Sequence, residues 1–472
     1  MMNRFFFYTG RSLVFGVACT VIGFSLYMIG SSLASVALQA GSVDDSPPLF
    51  SKQGLPSEPI AQLPVETDPM VIQMTPTLYA SIGSPTDLAF DGEGTGFLLD
   101  ASGAVVRIPA GGHRDSVPFL SLADEHTERS MDFNALTLHP GFLDPKSPGF
   151  GHFYCVTPEI PGKRESDFRP SHSSSGEHHQ EVIYEYRATD PRARIFSGTR
   201  REMMRFSLPE EAPAVSSLVF DAAGRLYISI ADGGSTSPGP SQASRNAMEL
   251  NNPFGKILRI DPLERDAGNG RYGVPRRNPF RFLEEAMPEL WSYGLRSPYG
   301  LSVDGMKGEL CILDKGKDGI EEINLSSLGG EHFGWDLCEG SYYYPPAKGE
   351  RAEQGVTTPA VEFLRGDPLK GALMYRGNLF TELSNRFVFA TASGRLWMAE
   401  PQENGAPRLR EISVGLENAA WSGRMAGIRA LRPGAHGEIF ALCNDGAVFV
   451  MDKASRTTSR PAPRRPLMAW AF

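Results

Sequence analysis

Residues 216–234 read SSLVFDAAGRLYISIADGG. Two runs of β-branched, aliphatic and aromatic residues flank a polar turn at Asp221 and Gly224, which is the pattern of a β-hairpin. The same order of strand, polar turn, glycine and strand recurs in segments that begin at Ser84, Ser297 and Ile428. A further hairpin, NRFVFATASGRLWMAE, begins at Asn385. The body of the chain is therefore predicted to consist mostly of repeated β-hairpins.

Repetition of hairpins around an axis lets an all-β chain of this size hide its strand edges. About 380 residues at roughly 60 to 75 per blade predict a six-bladed β-propeller over residues 71–452. Residues beyond the usual 40-residue blade must form loops, and loops on one face of the disc are expected to build a site. Helical periodicity is scarce, and it predicts only a short helix over Phe282 to Leu290.

Residues 1–40 are predicted to be a signal peptide or a membrane anchor. The segment from Leu13 to Ile29 is mainly apolar, and Arg4 and Arg11 precede it. A secretory apolar region has about 7 to 15 residues and a membrane span about 17 to 25, so both alternatives remain open. In either case the body is exported to the periplasm or the outside, with residues 12–40 as a possible membrane attachment.

Composition excludes several other classes. The chain has 41% hydrophobic and 21% charged residues with a net charge of -9, as expected for a folded body rather than a disordered or nucleic-acid-binding one. Residues 41–70 are predicted to be a flexible linker and residues 453–472 a basic disordered tail. Residues 163–181 are expected to form a surface loop in which His178 and His179 are solvated rather than metal ligands.

Four cysteines lie in the predicted body: Cys155, Cys311, Cys338 and Cys443. Oxidising conditions outside the cell permit disulfides, and four cysteines allow three pairings. Because Cys155 and Cys443 lie within apolar runs, we favour buried unpaired thiols over a bridge.

Four longer motifs carry a resemblance to a known family. They are NNPFGKILRIDP at 251–262, YGVPRRNPF at 272–280, PELWSYGLRSPYGLSVD at 288–304 and EEINLSSLGGEHFGW at 321–335. Together they resemble the glucose/sorbosone dehydrogenase family, the propeller quinoproteins that include soluble aldose sugar dehydrogenases and the propeller of hedgehog-interacting protein. The resemblance covers roughly residues 80 to 451.

The resemblance implies oxidation of a sugar hydroxyl with hydride transfer to pyrroloquinoline quinone (PQQ). Such chemistry needs a base in the pocket, cations for the three carboxylates of PQQ, and oxygen ligands for calcium. His139, in LTLHPGF, matches the family's catalytic histidine by its context. Arg296 matches the arginine that contacts quinone and substrate, and Ser297 stands where the family has asparagine.

Other predicted site residues depart from the family pattern. The calcium turn corresponds to Lys315, Gly316 and Lys317, with the carbonyls of Gly316 and Lys317 as metal ligands and Lys315 available to a cofactor carboxylate. Two ammonium groups beside a divalent cation would repel it unless they point away. Arg429 matches one cofactor arginine, whereas Gly427 and Ser393 replace two other cations, for which Arg395 or Arg376 could substitute.

Two functions follow from these observations. The first is an exported PQQ-dependent sugar dehydrogenase, and the second is a propeller that binds a protein or glycan without redox chemistry. Fold alone does not separate them. A third reading, a propeller hydrolase with a central metal, would need an inward ring of carboxylates that the sequence does not indicate.

Overall fold

A computed structural model describes residues 70–72, 74–110, 117–162, 164–172, 176–209, 214–233, 243–305, 307–344, 355–364, 368–400, 407–414 and 427–453. The predicted export segment, almost all of the predicted linker and the predicted basic tail lie outside these residues. Among the described residues, no helix has the length and apolar character needed to cross a membrane.

The described strands form six sheets of four or five strands. Blade 1 contains β3 (Pro85–Phe90), β4 (Gly96–Asp100), β5 (Ala104–Ile108) and β6 (Leu120–Ser121). Blade 2 contains β7 (Leu136–Leu138), β8 (His152–Glu159), β9 (His179–Ala188) and β10 (Gly198–Leu208). Blade 3 contains β11 (Val215–Phe220), β12 (Leu226–Ile230), β13 (Lys256–Ile260) and β14 (Leu290–Tyr293).

Blades 4 and 5 have strands beyond the four of the other blades. Blade 4 contains β15 (Pro298–Val303), β16 (Leu310–Lys315), β17 (Ile320–Ser326) and β20 (Val361–Leu364), with a separate hairpin of β18 (Cys338–Glu339) and β19 (Tyr342–Tyr343). Blade 5 contains β21 (Leu369–Tyr375), β22 (Arg386–Thr391), β23 (Leu396–Glu400) and β24 (Arg408–Val414), extended by β1 (Met70–Ile72). Blade 6 contains β25 (Ile428–Pro433), β26 (Ile439–Cys443), β27 (Ala447–Lys453) and β2 (Met74–Ser81).

The ring closes by pairing the two ends of the described body. The first strands of the blades contact one another in the cyclic order β3, β7, β11, β15, β21, β25 and back to β3. In blade 6, β2 pairs antiparallel with β27, so a strand from the start of the body completes the last sheet. The predicted six-bladed β-propeller is therefore confirmed.

Each first strand runs from one face of the disc to the other. In blade 3, Val215 at the start of β11 pairs with Ile230, and Phe220 at its end pairs with Leu226. We call the face at which the first strands begin the upper face, and the face at which they end the lower face. Asp232, which follows β12, is on the upper face, and the turn from Asp221 to Arg225 is on the lower face.

Apolar side chains fill the spaces between adjacent blades. One cluster joins Ile183 and Phe206 of blade 2 to Ile228 and Leu258 of blade 3, all of them fully buried. The four cysteines of the body are also buried, and none of them is in a disulfide. The expectation of buried thiols is therefore confirmed.

Two local predictions are wrong. Residues 281–289 form turns rather than a helix, Phe282 is 85% exposed, and Leu290 begins β14. The described residues contain only two short 3-10 helices, Ala243–Ala247 and Thr381–Leu383. His179 is not a solvated loop residue, because it begins β9 and is fully buried.

Candidate functional site

Arg296 lies on the upper face at the junction of blades 3 and 4. Its backbone N–H donates to Asp314 Oδ2 at 2.9 Å, and the N–H of Ser297 donates to Asp314 Oδ1 at 2.6 Å. The carbonyl of Arg296 accepts from the N–H of Asp232 at 2.9 Å. Among the described residues, none accepts a hydrogen bond from its guanidinium. The backbone is thus fixed from both blades while the charged end remains available to a ligand.

Asp314 itself is a buried carboxyl group under this junction. Burial raises its pKa to about 7, although the two backbone donors at Arg296 and Ser297 oppose the shift. Glu322 on the neighbouring strand is buried as well, and burial raises its pKa in the same direction. Asp314 therefore anchors Arg296 rather than facing a ligand.

Lys317 lies beside Arg296 and is almost fully buried. Its Nζ is 6.0 Å from the centroid of the Trp335 ring, and Trp335 Nε1 donates to Asp232 Oδ2 at 2.7 Å. Burial lowers the pKa of Lys317, and the nearby Asp232 carboxylate opposes this shift. Lys315, two residues earlier, is exposed. Of the two lysines predicted in this turn, only Lys317 is therefore part of a packed cluster.

The turn between β16 and β17 wraps a carboxylate. The backbone N–H groups of four successive residues, Lys317 to Ile320, donate to Glu339 at 2.8 to 3.1 Å. Tyr344 Oη donates to Glu339 Oε2 at 2.9 Å. No group of three or more His, Cys, Asp or Glu side chains among the described residues is arranged to hold a metal ion. The N–H groups of this turn thus bind an acidic side chain, and the prediction that the carbonyls of Gly316 and Lys317 bind calcium stays a prediction.

An axial cavity of about 220 Å³ lies among the first strands. Each blade contributes a polar side chain to its wall: Thr86, Asn134, Ser216, Tyr299, Lys370 and Arg429, in the order of the blades. Arg429 donates to Asp132 Oδ2 at 3.0 Å and to Ser84 Oγ at 3.3 Å. Hydroxyl, amide and cationic groups therefore converge on one small space.

Tyr299 connects this cavity to a buried carboxylate. Its hydroxyl lies 3.0 Å from Glu321 Oε2 and 2.8 Å from the carbonyl oxygen of Leu369. Burial raises the pKa of Glu321, whereas the hydrogen bond from Tyr299 and the ammonium groups of Lys315 and Lys370 lower it. Sequence reasoning missed this pair, because no motif links Tyr299 and Glu321 and only the pairing of β15, β16 and β17 brings them together.

His139 lies on the lower face, where β7 ends. Its ring packs edge to face on Phe220 with the centroids 5.1 Å apart, and its Nδ1 accepts from the N–H of Gly141 at 3.0 Å. Burial lowers the pKa of His139, and His152 adds to this shift. Phe220 and Asp232 lie at opposite ends of the five-residue strand β12, which is about 17 Å long. The structure therefore does not bring His139 and Arg296 together.

The remaining predicted site residues are also divided between the upper and the lower face. Ser393 and Gly427 are on the upper face, where the N–H of Gly427 donates to the carbonyl of Ala392 at 3.0 Å. Arg395 pairs with Glu411, and Arg376 pairs with Asp304 on the lower face. Arg376 therefore lies at the opposite end of the strands from the upper face, and Arg395 takes part in an ion pair. Among the described residues, the cations on the upper face include Arg296, Lys317, Lys370 and Arg429, of which Lys370 and Arg429 line the axial cavity.

The chain belongs to the glucose/sorbosone dehydrogenase family, whose family model matches residues 175–450. The Arabidopsis thaliana HIPL2 protein is 26% identical over 335 residues, which cover 62% of this chain and 47% of that protein. The Escherichia coli aldose sugar dehydrogenase YliI is 29% identical over 170 residues, covering 35% and 41%. Human hedgehog-interacting protein is 27% identical over 177 residues, covering 38% and 23%. The chain thus spans less than half the length of these relatives.

Solved structures share the fold. The apo form of soluble aldose sugar dehydrogenase from Escherichia coli superposes with a TM-score of 0.57 at 18% identity, covering 80% of this chain and 99% of that one. The PQQ-bound aldose sugar dehydrogenase from Streptomyces coelicolor superposes with a TM-score of 0.53 at 17% identity, covering 80% and 98%. At these identities the likeness extends to the propeller alone.

Proposed function

We propose that the upper face binds a small sugar and that the chain oxidises a sugar hydroxyl with PQQ as the hydride acceptor. The observation that supports the proposal is that Arg296 and Arg429, both predicted from the sequence as cofactor-binding residues, lie near the beginnings of first strands, and that Arg429 lines the axial cavity. A sugar is held by several hydroxyl contacts, which Thr86, Asn134 and Ser216 can supply from the cavity wall.

The upper-face side chains fit PQQ in charge. Its three carboxylates require cationic partners, and the guanidinium of Arg296 has no hydrogen-bond acceptor among the described residues. Arg296 on the upper face and Lys370 in the cavity wall would hold the carboxylates, and Arg429 is paired with Asp132. When bound, PQQ supplies the acceptor for the hydride that leaves the sugar carbon.

The hydroxyl proton needs an acceptor on the upper face. His139 is at the other end of the strands, so it has no place in this proposal. Tyr299 lines the cavity, and its oxygen can take the substrate proton as its own phenolic proton passes to Glu321 Oε2, 3.0 Å away. The carboxylate of Glu321 must be ionised for this step. The turnover of the chain is therefore expected to rise as the pH rises through the pKa of Glu321, which burial raises.

The resemblance assigns calcium to the carbonyls of Gly316 and Lys317, and a calcium ion takes six to eight oxygen ligands. Among the described residues, no group of three or more His, Cys, Asp or Glu side chains is arranged to complete such a set. The proposal therefore includes no step through calcium.

His139 lies on the lower face, so the upper face lacks the histidine that the resemblance implies as the catalytic base. This favours a second candidate function, a propeller that binds its ligand without redox chemistry. Both candidates use the same cavity and the same cations, and they differ in whether bound sugar is oxidised.

Dye reduction by the purified chain with added PQQ and a panel of aldoses separates the two functions. We expect reduction that depends on both PQQ and sugar, with Tyr299→Phe lowering kcat about 10²-fold or more while PQQ affinity changes little. Binding of PQQ or sugar without dye reduction would support the second function. Absence of both binding and reduction would contradict the use of this cavity.

We also propose that the chain is exported and that residues 1–40 direct it there as a cleaved signal or a membrane anchor. The apolar segment after Arg11 supports this proposal. Fractionation of cells that express the full chain, followed by N-terminal sequencing, tests it, since recovery of the intact chain in the cytosol would contradict export.

A further inference from the structure

Bulges in the first strands supply the upper part of the axial cavity wall. In five of the six blades, the pairing between the first and second strands skips the second residue of the first strand. A bulge turns a side chain away from the regular alternation of the sheet. All five skipped residues line the cavity: Thr86, Ser216, Tyr299, Lys370 and Arg429. We call these five residues the bulge ring, and their side chains can contact one ligand together.

Arg432 lines the same cavity below the bulge ring. It lies three residues nearer the lower face than Arg429 on strand β25, which corresponds to about 10 Å along a strand. Its Nε donates to Asp87 Oδ1 at 2.7 Å and its Nη1 to the carbonyl of Leu431 at 2.9 Å, whereas its Nη2 has no acceptor among the described residues. The guanidinium is thus fixed by the protein and retains a donor for a ligand.

The charge of the cavity wall has one sign. Lys370, Arg429 and Arg432 line the cavity, and its wall contains no aspartate or glutamate among the described residues. The carboxylates of Asp87 and Glu321 contact wall residues but do not line the cavity themselves. A cleft with low-dielectric walls and charges of one sign concentrates their electric field. The cavity is therefore expected to prefer an anionic ligand to a neutral one of the same shape.

The cavity has the size of one monosaccharide. Its volume is about 220 Å³, which corresponds to about seven water molecules at roughly 30 Å³ each. This is below the roughly 300 to 1,000 Å³ of pockets that enclose drug-sized ligands. The proposed function assigns a carboxylate of PQQ to Arg296 on the upper face, so the cavity itself is left to the sugar.

We infer that the sugar bound in the axial cavity is a uronic acid, whose carboxylate contacts Arg432. In a uronic acid the carboxylate and the anomeric hydroxyl are at opposite ends of the molecule, so the anomeric hydroxyl lies at the bulge ring beside Tyr299. Oxidation there follows the proposed function, with the hydride passing to PQQ and the hydroxyl proton to Tyr299. The inference deepens the proposed function and rests on it for the choice of a sugar as the ligand.

Calorimetric titration of the full chain without PQQ tests the role of Arg432. The probes are glucuronate and galacturonate, each compared with its neutral aldose, glucose or galactose. We expect at least one acid to bind about tenfold or more tightly than its neutral counterpart, and Arg432→Gln to abolish this preference. Arg192→Gln is the matched control, because Arg192 is an exposed arginine that pairs with Glu93. Equal affinities for acid and neutral sugar in the wild type, no binding of either acid, or an unchanged preference in Arg432→Gln would overturn the inference.

Thermal melting shows whether Arg432→Gln remains folded. Asp87, the partner of Arg432, also accepts from the backbone N–H groups of Leu88 at 2.8 Å and Leu136 at 2.9 Å. Because both of these donors remain in the variant, we expect the Asp87 carboxylate to stay paired and the propeller to stay folded.

Ser216→Asp tests the charge of the wall without altering Arg432. A carboxylate in the bulge ring is expected to weaken binding of the preferred acid about tenfold or more and to leave binding of its neutral counterpart within about threefold, because like charges repel in an enclosed space. Ser216→Asn is the matched control, since it has nearly the same size without the charge, and it should retain the preference for the acid. If Ser216→Asp and Ser216→Asn bound the acid equally, recognition of its charge in this cavity would be contradicted.

The dye assay with PQQ separates failure of this inference from failure of the proposed function. Binding of an acid in the cavity without dye reduction would contradict the oxidation and support the inference. Dye reduction by neutral aldoses with kcat/KM values equal to or above those of the acids would support the oxidation and overturn the inference.

Discussion

The proposed function assigns to the Arg296 side chain the binding of a PQQ carboxylate on the upper face. Replacing it with alanine is expected to weaken PQQ binding by about 10- to 100-fold, because a charge-assisted hydrogen bond contributes about 1.5 to 3 kcal/mol. Calorimetric titration measures the change. Arg192→Ala serves as control, since Arg192 is an exposed arginine that pairs with Glu93. Equal affinity in Arg296→Ala and the wild type would show that the ligand binds elsewhere.

A substitution at His139, on the lower face, tests whether that face takes part in PQQ binding or turnover. His139→Ala is expected to leave PQQ affinity and turnover within about twofold of the wild type. It should lower the free energy of unfolding by about 1 to 3 kcal/mol, because a buried ring that packs on Phe220 is removed. Urea denaturation and the dye assay measure the two effects. A folded variant without activity would restore the histidine to the catalytic site.

At the scale of single residues, sequence motifs located the cations of the proposed site better than they located its proposed base. Arg296 follows directly from YGLRSP, because the backbone bonds to Asp314 and Asp232 fix it at the start of a first strand. His139 follows a first strand instead, and its motif contains no information about which face of the disc that strand end reaches. The face becomes apparent only from the strand order of the blade and its contact with the Asp221 turn.

At the scale of elements, the hairpins were predictable and the turns between blades were not. The segments that begin at Ser84, Ser216, Ser297 and Ile428 form the first two strands of blades 1, 3, 4 and 6, since alternating apolar residues and a glycine turn are local signals. Glu339 lies about twenty residues from the turn it binds, and no local pattern relates the two. Part of the family motif is structural, because Lys256 is fully buried and donates to three backbone carbonyls.

The adjacent strands β16 and β17 carry two buried carboxyl groups that make stability depend on pH. Burial raises the pKa of both Asp314 and Glu322 above the values of the unfolded chain, so the folded state retains protons that the unfolded state releases. Stability is therefore expected to fall as the pH rises from about 4 toward 7. Melting temperatures across this range should decrease less in Asp314→Asn than in the wild type, and a parallel decrease in both would contradict the assignment.

At the scale of the whole molecule, the ring depends on a strand that comes from the other end of the body. Pairing of β2 with β27 covers the outer edge of blade 6, and the aromatic ring of Tyr79 packs edge to face on Phe440 with the centroids 4.9 Å apart. Blade 5 is extended similarly, because β1 pairs in parallel with β24. Both additions come from residues 70–81, so this short segment stabilises two neighbouring blades.

Deletion of residues 1–81 is expected to destabilise the propeller and to make it associate. It would expose the hydrogen-bonding edge of β27 and remove the buried Tyr79 and Ala80 from the interface between blades 6 and 1. Size-exclusion chromatography and thermal melting measure both effects. Deletion of residues 1–69 is the matched control, because it retains β1 and β2, and it should melt like the full chain as a species of unchanged size. If the longer deletion melted at the temperature of the shorter one, closure of the ring would not depend on β2.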